Sequence, residues 1–309
     1  MAKIDLTPFL ERVQRENLNM EAILVEQEGQ EVARHFWAPE HRRNQYSVSK
    51  SFTSAAVGFA VAEGLFALED LVLSHFAADA PENPPENLQK LTVRDLLTMA
   101  PGQDAAYLMG GDREKLAERT DDFVRFCLAQ PFPYAPGTHF KYNNMGPYLA
   151  GVLVQRKAGC SLVDYLMPRL FLPLGIARPH WETDPRGMTF GAGGLEISPS
   201  ELLAFLRLYV NDGQLGGRQV LSREWIRQSE AVQVETAPFV ALEKTDNRFG
   251  YGFLFWRGQH NSFRADGKYA KFAIALRDLR TVAVLNAQDT RQQGVLDAFW
   301  DTVYPQLER

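Results

Sequence analysis

The chain has 309 residues, of which 45% are hydrophobic and 23% are charged, so it is long enough to bury one substantial core and too apolar for a disordered segment. Its 33 basic and 38 acidic side chains give a formal net charge of −5, and no run of like charges provides the basic surface that nucleic acids require. DNA and RNA are therefore excluded as expected partners.

The cysteines and the apolar runs narrow the class of protein further. Cys127 and Cys160 lie in apolar helical patterns and are predicted to be reduced thiols in the core, so neither a disulfide framework nor a cysteine metal site is expected. No stretch reaches the roughly 20 apolar residues of a membrane span. The segment MAKIDLTPFLERVQREN lacks the apolar core of a signal peptide. These features predict a cytoplasmic protein without a membrane partner.

The N-terminal part of the chain begins with a helix signal and continues with strand signals. Thr7 and Pro8 are typical of a helix start, because proline is favoured at the first helical position. Residues 22–37 form two β-rich runs around a Glu-Gly turn, which predicts a β-hairpin.

Helical patterns fill the middle of the chain, and strand patterns return near its end. The helical runs alternate with loops rich in proline and glycine and cover residues 93–99, 147–159 and 198–213. The later strand-like runs cover residues 250–256, 262–266, 271–278 and 281–287. A last helix is predicted in residues 295–307, where Leu296, Phe299 and Val303 recur at helical spacing.

This order of elements predicts an α/β fold of the α+β type. An antiparallel sheet is built from both chain ends and flanked by the terminal helices, and an all-helical lobe is inserted between its halves. We place the sheet lobe at residues 1–60 and 236–309 and the mainly helical lobe at 61–235, which together form one catalytic unit. A cleft between the lobes is the expected binding site.

The strongest candidate for chemistry is the pair Ser47 and Lys50, which stands at the start of the apolar helix SVSKSFTSAAVGFAVAEG. At this spacing the two side chains share one helix face. A lysine kept neutral by burial can take the proton of a serine hydroxyl and make it a nucleophile, and the first turn of the helix offers N–H groups to an oxyanion. The structural alternative is a serine that caps the helix beside a solvated lysine.

A second candidate pair, Tyr142 and Asn144, follows a Pro-Gly turn and precedes a helix in PGTHFKYNNMGPYLAG. The tyrosine hydroxyl can carry protons, and the asparagine amide can orient the lysine and the substrate. A similar pair, Tyr209 and Asn211, ends the helix ELLAFLRLYVNDG and is interpreted as structural.

These motifs in this order resemble the serine β-lactamase-like superfamily, which includes class C β-lactamases, penicillin-binding D-aminopeptidases, family VIII esterases and 6-aminohexanoate-dimer hydrolases. The resemblance rests on SVSK, YNN, LTVRDLLTMAPG and GAGGLEISPSELLAFLRLYVNDG and covers nearly the whole chain. It implies the β-lactamase/transpeptidase-like fold, with Ser47 as the acylated nucleophile, Lys50 and Tyr142 as proton carriers, and Asn144 as a residue that positions the substrate. Which of Lys50 and Tyr142 takes the first proton stays open.

The resemblance also implies a third motif on an inner strand, usually Lys-Thr-Gly or His-x-Gly. Aligned on its glycine, this motif corresponds to Ala265, Asp266 and Gly267, and Lys268 then supplies the second oxyanion N–H. Ala265 replaces the cation that β-lactamases and D,D-peptidases use near the substrate carboxylate. Positive charge could instead come from neighbouring residues of the same segment, namely Arg264, Lys268 and Lys271.

No cofactor is expected. The histidines show no metal-ligand spacing, and the glycine cluster at residues 191–194 lacks the third glycine of a dinucleotide-binding motif. We therefore predict a serine hydrolase that forms an acyl-enzyme with a small ester or amide. The alternatives are a β-lactamase, a D-aminopeptidase or D,D-peptidase, and a non-catalytic scaffold that recognises penicillin. The sequence leaves the oligomeric state open.

Overall fold

The computed structural model describes residues 3–307. Its α-helices are Thr7–Arg15 (α1), Ser49–Ala62 (α2), Val72–His75 (α3), Glu86–Gln89 (α4), Val93–Leu97 (α5), Gly110–Ala117 (α6), Phe123–Leu128 (α7), Met145–Ala158 (α8), Leu162–Leu166 (α9), Pro199–Val210 (α10), Arg223–Glu230 (α11) and Gln292–Thr302 (α12). Its strands are Met20–Gln27 (β1), Gln30–Phe36 (β2), Arg43–Asn44 (β3), His180–Trp181 (β4), Leu195–Ile197 (β5), Gln214–Leu215 (β6), Arg218–Gln219 (β7), Trp256–Arg257 (β8), Phe263–Gly267 (β9), Lys271–Leu276 (β10) and Thr281–Ala287 (β11).

The central sheet joins the two ends of the chain. Its strand order is β2-β1-β11-β10-β9-β8, and neighbouring strands run antiparallel. In the middle of the sheet, Val284 of β11 lies between Leu24 of β1 and Ala273 of β10. The predicted α+β fold, with a sheet built from both chain ends, is confirmed.

Side-chain alternation along the strands separates two hydrophobic layers. One face of the sheet packs Ile23, Phe272 and Leu285 against the terminal helices α1 and α12. The other face, which includes Leu24 and Ala273, packs against the helices of the inserted region. Helix α10 contacts β10 and β11 on this side, so the inserted region is fixed directly on the sheet.

The region between the two halves of the sheet is mainly helical but not purely so. A small sheet of order β3-β5-β4 joins residues next to Ser47 to the segment that follows the glycine cluster, and β6 and β7 form a hairpin. The predicted boundaries after residues 60 and 235 stay a prediction. Cys127 is buried as expected, whereas Cys160 is exposed because it lies in the loop after α8.

No helix among residues 3–307 combines the length and the apolar character that a membrane crossing demands.

Candidate active site

Ser47 lies in a single 3-10 turn, Tyr46–Val48, directly before α2. The preceding residue, Tyr46, has a φ of +50°, a left-handed conformation that costs a non-glycine residue about 1–3 kcal/mol. The side chain of Asn44 holds this conformation by accepting the Tyr46 N–H at 2.7 Å. The Tyr46 carbonyl accepts the hydroxyl of Ser49 at 2.6 Å. The turn therefore places Ser47 ahead of the helix and not in its first helical turn.

Lys50 is buried one helical turn further, and its amine lies beside the serine hydroxyl. The distance from Lys50 Nζ to Ser47 Oγ is 2.8 Å, and Nζ donates to the carbonyl oxygen of Ala192 at 2.7 Å. Burial lowers the pKa of Lys50 to about 7, and the negative charge of Asp266 opposes this shift. The solvated lysine of the structural alternative is thus absent, because Lys50 is only 1% exposed.

The glycine cluster at residues 191–194 brings the Ala192 carbonyl to Lys50. A Cβ on Gly191 would lie 2.9 Å from the Pro147 carbonyl oxygen and from Thr53 Oγ1, so only glycine lets this loop approach α2 and α8 so closely. Gly194 has a φ of +84°, and a Cβ there would lie 2.5 Å from the Cβ of Glu182. The sequence pattern of this cluster excluded a dinucleotide-binding motif but did not predict the contact of Ala192 with Lys50.

Tyr142 is the third side chain of the group, although it is separated from Ser47 by most of a hundred residues. Its ring stacks on Trp256 with centroids 5.5 Å apart, and Lys50 Nζ lies 5.2 Å from its centroid. Burial raises the pKa of Tyr142 well above its usual value, and a hydrogen bond with Ser47 opposes the increase. The phenol therefore keeps its proton over the physiological pH range.

Asn144 stands at the start of α8 with one half of its amide unused. Its Nδ2 donates to the Leu108 carbonyl at 2.8 Å, whereas its Oδ1 is buried without a hydrogen-bond partner among the described residues. The neighbouring Asn143 serves the helix instead, because its Oδ1 accepts the Met145 N–H at 2.9 Å. Asn144 Oδ1 is thus free to accept a hydrogen bond from a ligand.

The third motif lies on β9 and runs beside the nucleophile segment. Gly267 packs so closely that a Cβ there would lie 2.3 Å from the Gln45 carbonyl oxygen. Ala265 is fully buried in the core and does not line the cleft, because alternation along β9 turns it into the layer under α2. Asp266 and Lys268 do line the cleft.

The cations that could replace the one absent at Ala265 lie elsewhere. The Lys271 amine is buried and bound to Glu21 Oε2 at 2.6 Å. Arg264 is fully buried and donates from Nε to Asp266 Oδ2 at 3.1 Å. Lys268 is exposed at the cleft, with its amine 4.7 Å from the centroid of the Tyr269 ring. Of these three cations, Lys268 is the one that lines the cleft.

Replacing Gly267 by alanine tests the close approach of β9 to the nucleophile segment. We expect Gly267→Ala to lower the free energy of unfolding by about 1–3 kcal/mol, because the added methyl group must push two backbone segments apart. The control is Gly294→Ala in α12, where the added Cβ meets no atom closer than 3.8 Å. The control is expected to gain about 0.5–1 kcal/mol. Urea unfolding of both variants measures the difference, and equal stability of the two would contradict the packing described.

The side chains converge on one cleft of about 890 Å³. Ser47, Tyr142, Asn144, Asp266 and Lys268 line it, and the other lining residues include Arg113, Glu182, Phe190, Phe239, Val240, Lys244 and Trp256. Lys50 lies behind Ser47 and contacts it from the core side. Among residues 3–307, no group of three His, Cys, Asp or Glu side chains is placed to hold a metal ion. The structure thus brings together the hydroxyl, amine and phenol that the sequence singled out.

Known proteins share this fold and part of this sequence. A D-aminopeptidase from Brucella anthropi is 30% identical over 172 residues, which cover 50% of this chain and 31% of that protein. The chain therefore matches less than a third of that relative's own length.

Solved structures resemble the chain over almost all of its length. A Bacillus anthracis protein whose assignment as a 6-aminohexanoate-dimer hydrolase is provisional has a TM-score of 0.78 and 17% identity, over 96% of this chain and 80% of that one. EstCE1, a hydrolase with promiscuous acyltransferase activity, has a TM-score of 0.73 and 15% identity, over 95% of this chain and 98% of its own. Both likenesses establish the shared fold. A family model described as Beta-lactamase matches residues 20–301, and the chain belongs to this family.

Proposed function

We propose that this chain is a serine hydrolase that transfers the acyl group of a small ester or amide to water through an acyl-enzyme on Ser47. The observation that carries the proposal is the 2.8 Å distance between Ser47 Oγ and the buried amine of Lys50. Burial lowers the pKa of this amine to about 7, so a large fraction of it is neutral near neutral pH. A neutral amine in hydrogen-bond contact with a serine is a competent general base.

In the first step, Ser47 Oγ attacks the substrate carbonyl carbon and its proton passes to Lys50 Nζ. The carbonyl oxygen gains the negative charge. The backbone N–H groups of Ser47 and Lys268 are proposed to bind it, and no backbone hydrogen bond within residues 3–307 takes up either group. Two such donors stabilise a tetrahedral intermediate without reorganisation.

In the second step, the bond from carbon to the leaving oxygen or nitrogen breaks, and the leaving group takes a proton from Lys50 or Tyr142. The product is an ester of Ser47. Water then attacks this ester, gives up a proton to the same base, and releases the acid together with the regenerated serine hydroxyl. Each step forms one bond to the acyl carbon and breaks another, so no cofactor is needed.

Lys50, and not Tyr142, is proposed as the first base. The pKa of Tyr142 is raised far above its usual value by burial, so its phenolate is scarce at neutral pH. Its protonated hydroxyl can still donate to a leaving group and relay a proton from Lys50. Asn144 Oδ1, which lacks a partner among residues 3–307, is proposed to accept a hydrogen bond from the bound substrate.

Position 265 holds an alanine where the third motif has a cation, and this favours esters or amides as substrates. β-Lactams and D-Ala-D-Ala peptides carry a carboxylate that needs a positive partner. The test compares p-nitrophenyl acyl esters, aminoacyl p-nitroanilides and nitrocefin at equal enzyme concentration. We expect ester or anilide turnover with kcat/KM at least about 100-fold above that for nitrocefin, which corresponds to losing one charged hydrogen bond. Nitrocefin as the best substrate would make the protein a β-lactamase, and no turnover of any of them would favour the scaffold.

A further inference from the structure

Asp266 is a carboxylate in the cleft with one oxygen left for a ligand. Its side chain is 14% exposed and lines the cleft together with Ser47 and Tyr142. Its Oδ2 accepts a hydrogen bond from Arg264 Nε at 3.1 Å. Within residues 3–307, the Asp266 carboxylate makes no second hydrogen bond. An oxygen of a buried carboxylate that lacks a hydrogen bond is costly, so a donor from a ligand would stabilise it.

Arg264 does not cancel the charge of Asp266. The guanidinium is shared, since it also donates to the Asp246 carbonyl at 3.0 Å and to Asn247 Oδ1 at 2.5 Å. The Asp246 carboxylate lies in the same buried group and is bound by uncharged donors, the indole of Trp300 and the amides of Gln259 and Gln293. Burial raises the pKa of Asp266, and Arg264 opposes this increase. A further cation in the cleft would therefore stabilise the ionised carboxylate.

The lysines that line the cleft do not remove this charge either. The cations that line the cleft are Arg113, Lys141, Lys244 and Lys268. Arg113 is paired with Glu182, whereas the ion pair that Asp266 makes within residues 3–307 is with Arg264. The charge of Asp266 reaches the reacting groups, where it favours the protonated forms of both Lys50 and Tyr142. Asp266 therefore places a carboxylate beside the reacting groups, where it can pair with a cationic group of a substrate.

We propose that Asp266 binds a protonated amine of the substrate and that the enzyme acts on aminoacyl esters or amides. This inference rests on the proposed function of Ser47. Asp266 lines the same cleft as Ser47 and Tyr142 and is close enough to Lys50 to act on its pKa, so an amine bound there shares the cleft with the scissile carbonyl. The ammonium group supplies the charge-assisted donor that the free carboxylate oxygen lacks. It also offsets the charge that otherwise keeps Lys50 protonated, which leaves more of the neutral base.

The test uses two isosteric substrates, alanine p-nitroanilide and 2-methylpropanoyl p-nitroanilide, at pH 7. They differ in having an ammonium or a methyl group beside the carbonyl, and both enantiomers of the alanine compound are assayed. We expect the wild type to prefer at least one alanine enantiomer by about tenfold or more in kcat/KM, the effect of one hydrogen bond to a charged group. Asp266→Asn is expected to reduce this ratio to about one, since the amide cannot pair with the ammonium.

The control is Glu114→Gln, which removes another carboxylate that lines the cleft and is expected to retain the preference. A wild type with no preference for the amine, or an Asp266→Asn variant that keeps it, would overturn the proposal. Competitive inhibition of the wild type by isopropylammonium but not by 2-propanol tests the same site without a mutation, and equal inhibition by both would also overturn it. Labelling of Ser47 by a fluorophosphonate in the same preparation separates the outcomes, because loss of labelling removes the proposed function itself.

Discussion

Ser47→Ala is expected to lower kcat/KM for the best ester or amide substrate by about 10⁴-fold or more, the range found when the nucleophile of a serine hydrolase is removed. The neighbouring hydroxyls cannot replace it, because Ser49 donates to the Tyr46 carbonyl and Ser51 to the Leu254 carbonyl. The variant loses one half-buried hydroxyl and should keep its fold. Initial rates at several substrate concentrations, with circular dichroism of the same sample, measure both properties.

The control for this prediction is Ser74→Ala, an exposed serine whose hydroxyl donates to the Leu71 carbonyl far from the cleft. Its kcat/KM should match that of the wild type. A Ser47→Ala variant that retains more than about a tenth of wild-type activity would remove this serine from the mechanism, since no bond to the acyl carbon could then depend on it.

Lys50→Ala is expected to lower kcat/KM about 10³-fold, the usual contribution of a general base. The fold should be retained, because a buried amine is replaced by a small apolar group.

In the wild type, kcat/KM should rise about tenfold per pH unit up to a midpoint near the Lys50 pKa of about 7 and level off above it. The sign follows from the chemistry, because the protonated amine has no lone pair for the serine proton. Lys50→Arg should be as inactive as Lys50→Ala, since a guanidinium stays protonated.

The midpoint of the pH profile should also depend on Asp266. Asp266 raises the pKa of Lys50, so Asp266→Asn should move the acidic limb to lower pH. Lys90→Ala, which removes an exposed lysine paired with Glu86, is the control and should leave the profile unchanged. A Lys50→Ala variant with near-normal rate, or a wild-type profile without an acidic limb, would contradict the role of this lysine.

The elements with clear periodicity could be predicted from the sequence. The hairpin in residues 22–37 appears as β1 and β2. The helix predicted in residues 295–307 appears as α12, which holds Leu296 and Phe299 and ends before Val303. Residues 250–256 were expected to form a strand, yet of these only Trp256 lies in a strand, β8, and Tyr251 makes isolated β-bridges. Gly252 there packs against the Ser229 carbonyl, and the Leu254 N–H donates to the Leu97 carbonyl. Tertiary contacts with the inserted region thus override the local preference for a strand.

The proximity of two site residues could be predicted where both belong to one motif. It was harder to predict where the residues come from distant segments of the chain. The spacing of Ser47 and Lys50 alone indicates that they are adjacent. Their proximity to Tyr142 followed only from the resemblance to a family. The Ala192 contact could not be deduced, because a backbone carbonyl leaves no mark in the sequence except the glycines around it.

The charges near the third motif were harder to place, because their partners are far away in the chain. The Lys271 amine is buried against Glu21 and does not reach the cleft. The alignment put Ala265 at the cation position, whereas Ala265 is buried and its neighbour Asp266 lines the cleft. The sequence of a strand does not show which of its residues line a cleft until the packing on both faces of the sheet is known.

The most direct test of the account is to identify the residue that reacts with a fluorophosphonate, by peptide mapping and mass spectrometry of the labelled protein. The account predicts one stoichiometric adduct on the peptide containing Ser47, which disappears in Ser47→Ala and slows sharply in Lys50→Ala. An adduct on any other residue, or no adduct on the folded wild-type protein, would contradict the claim that Ser47 is an activated nucleophile.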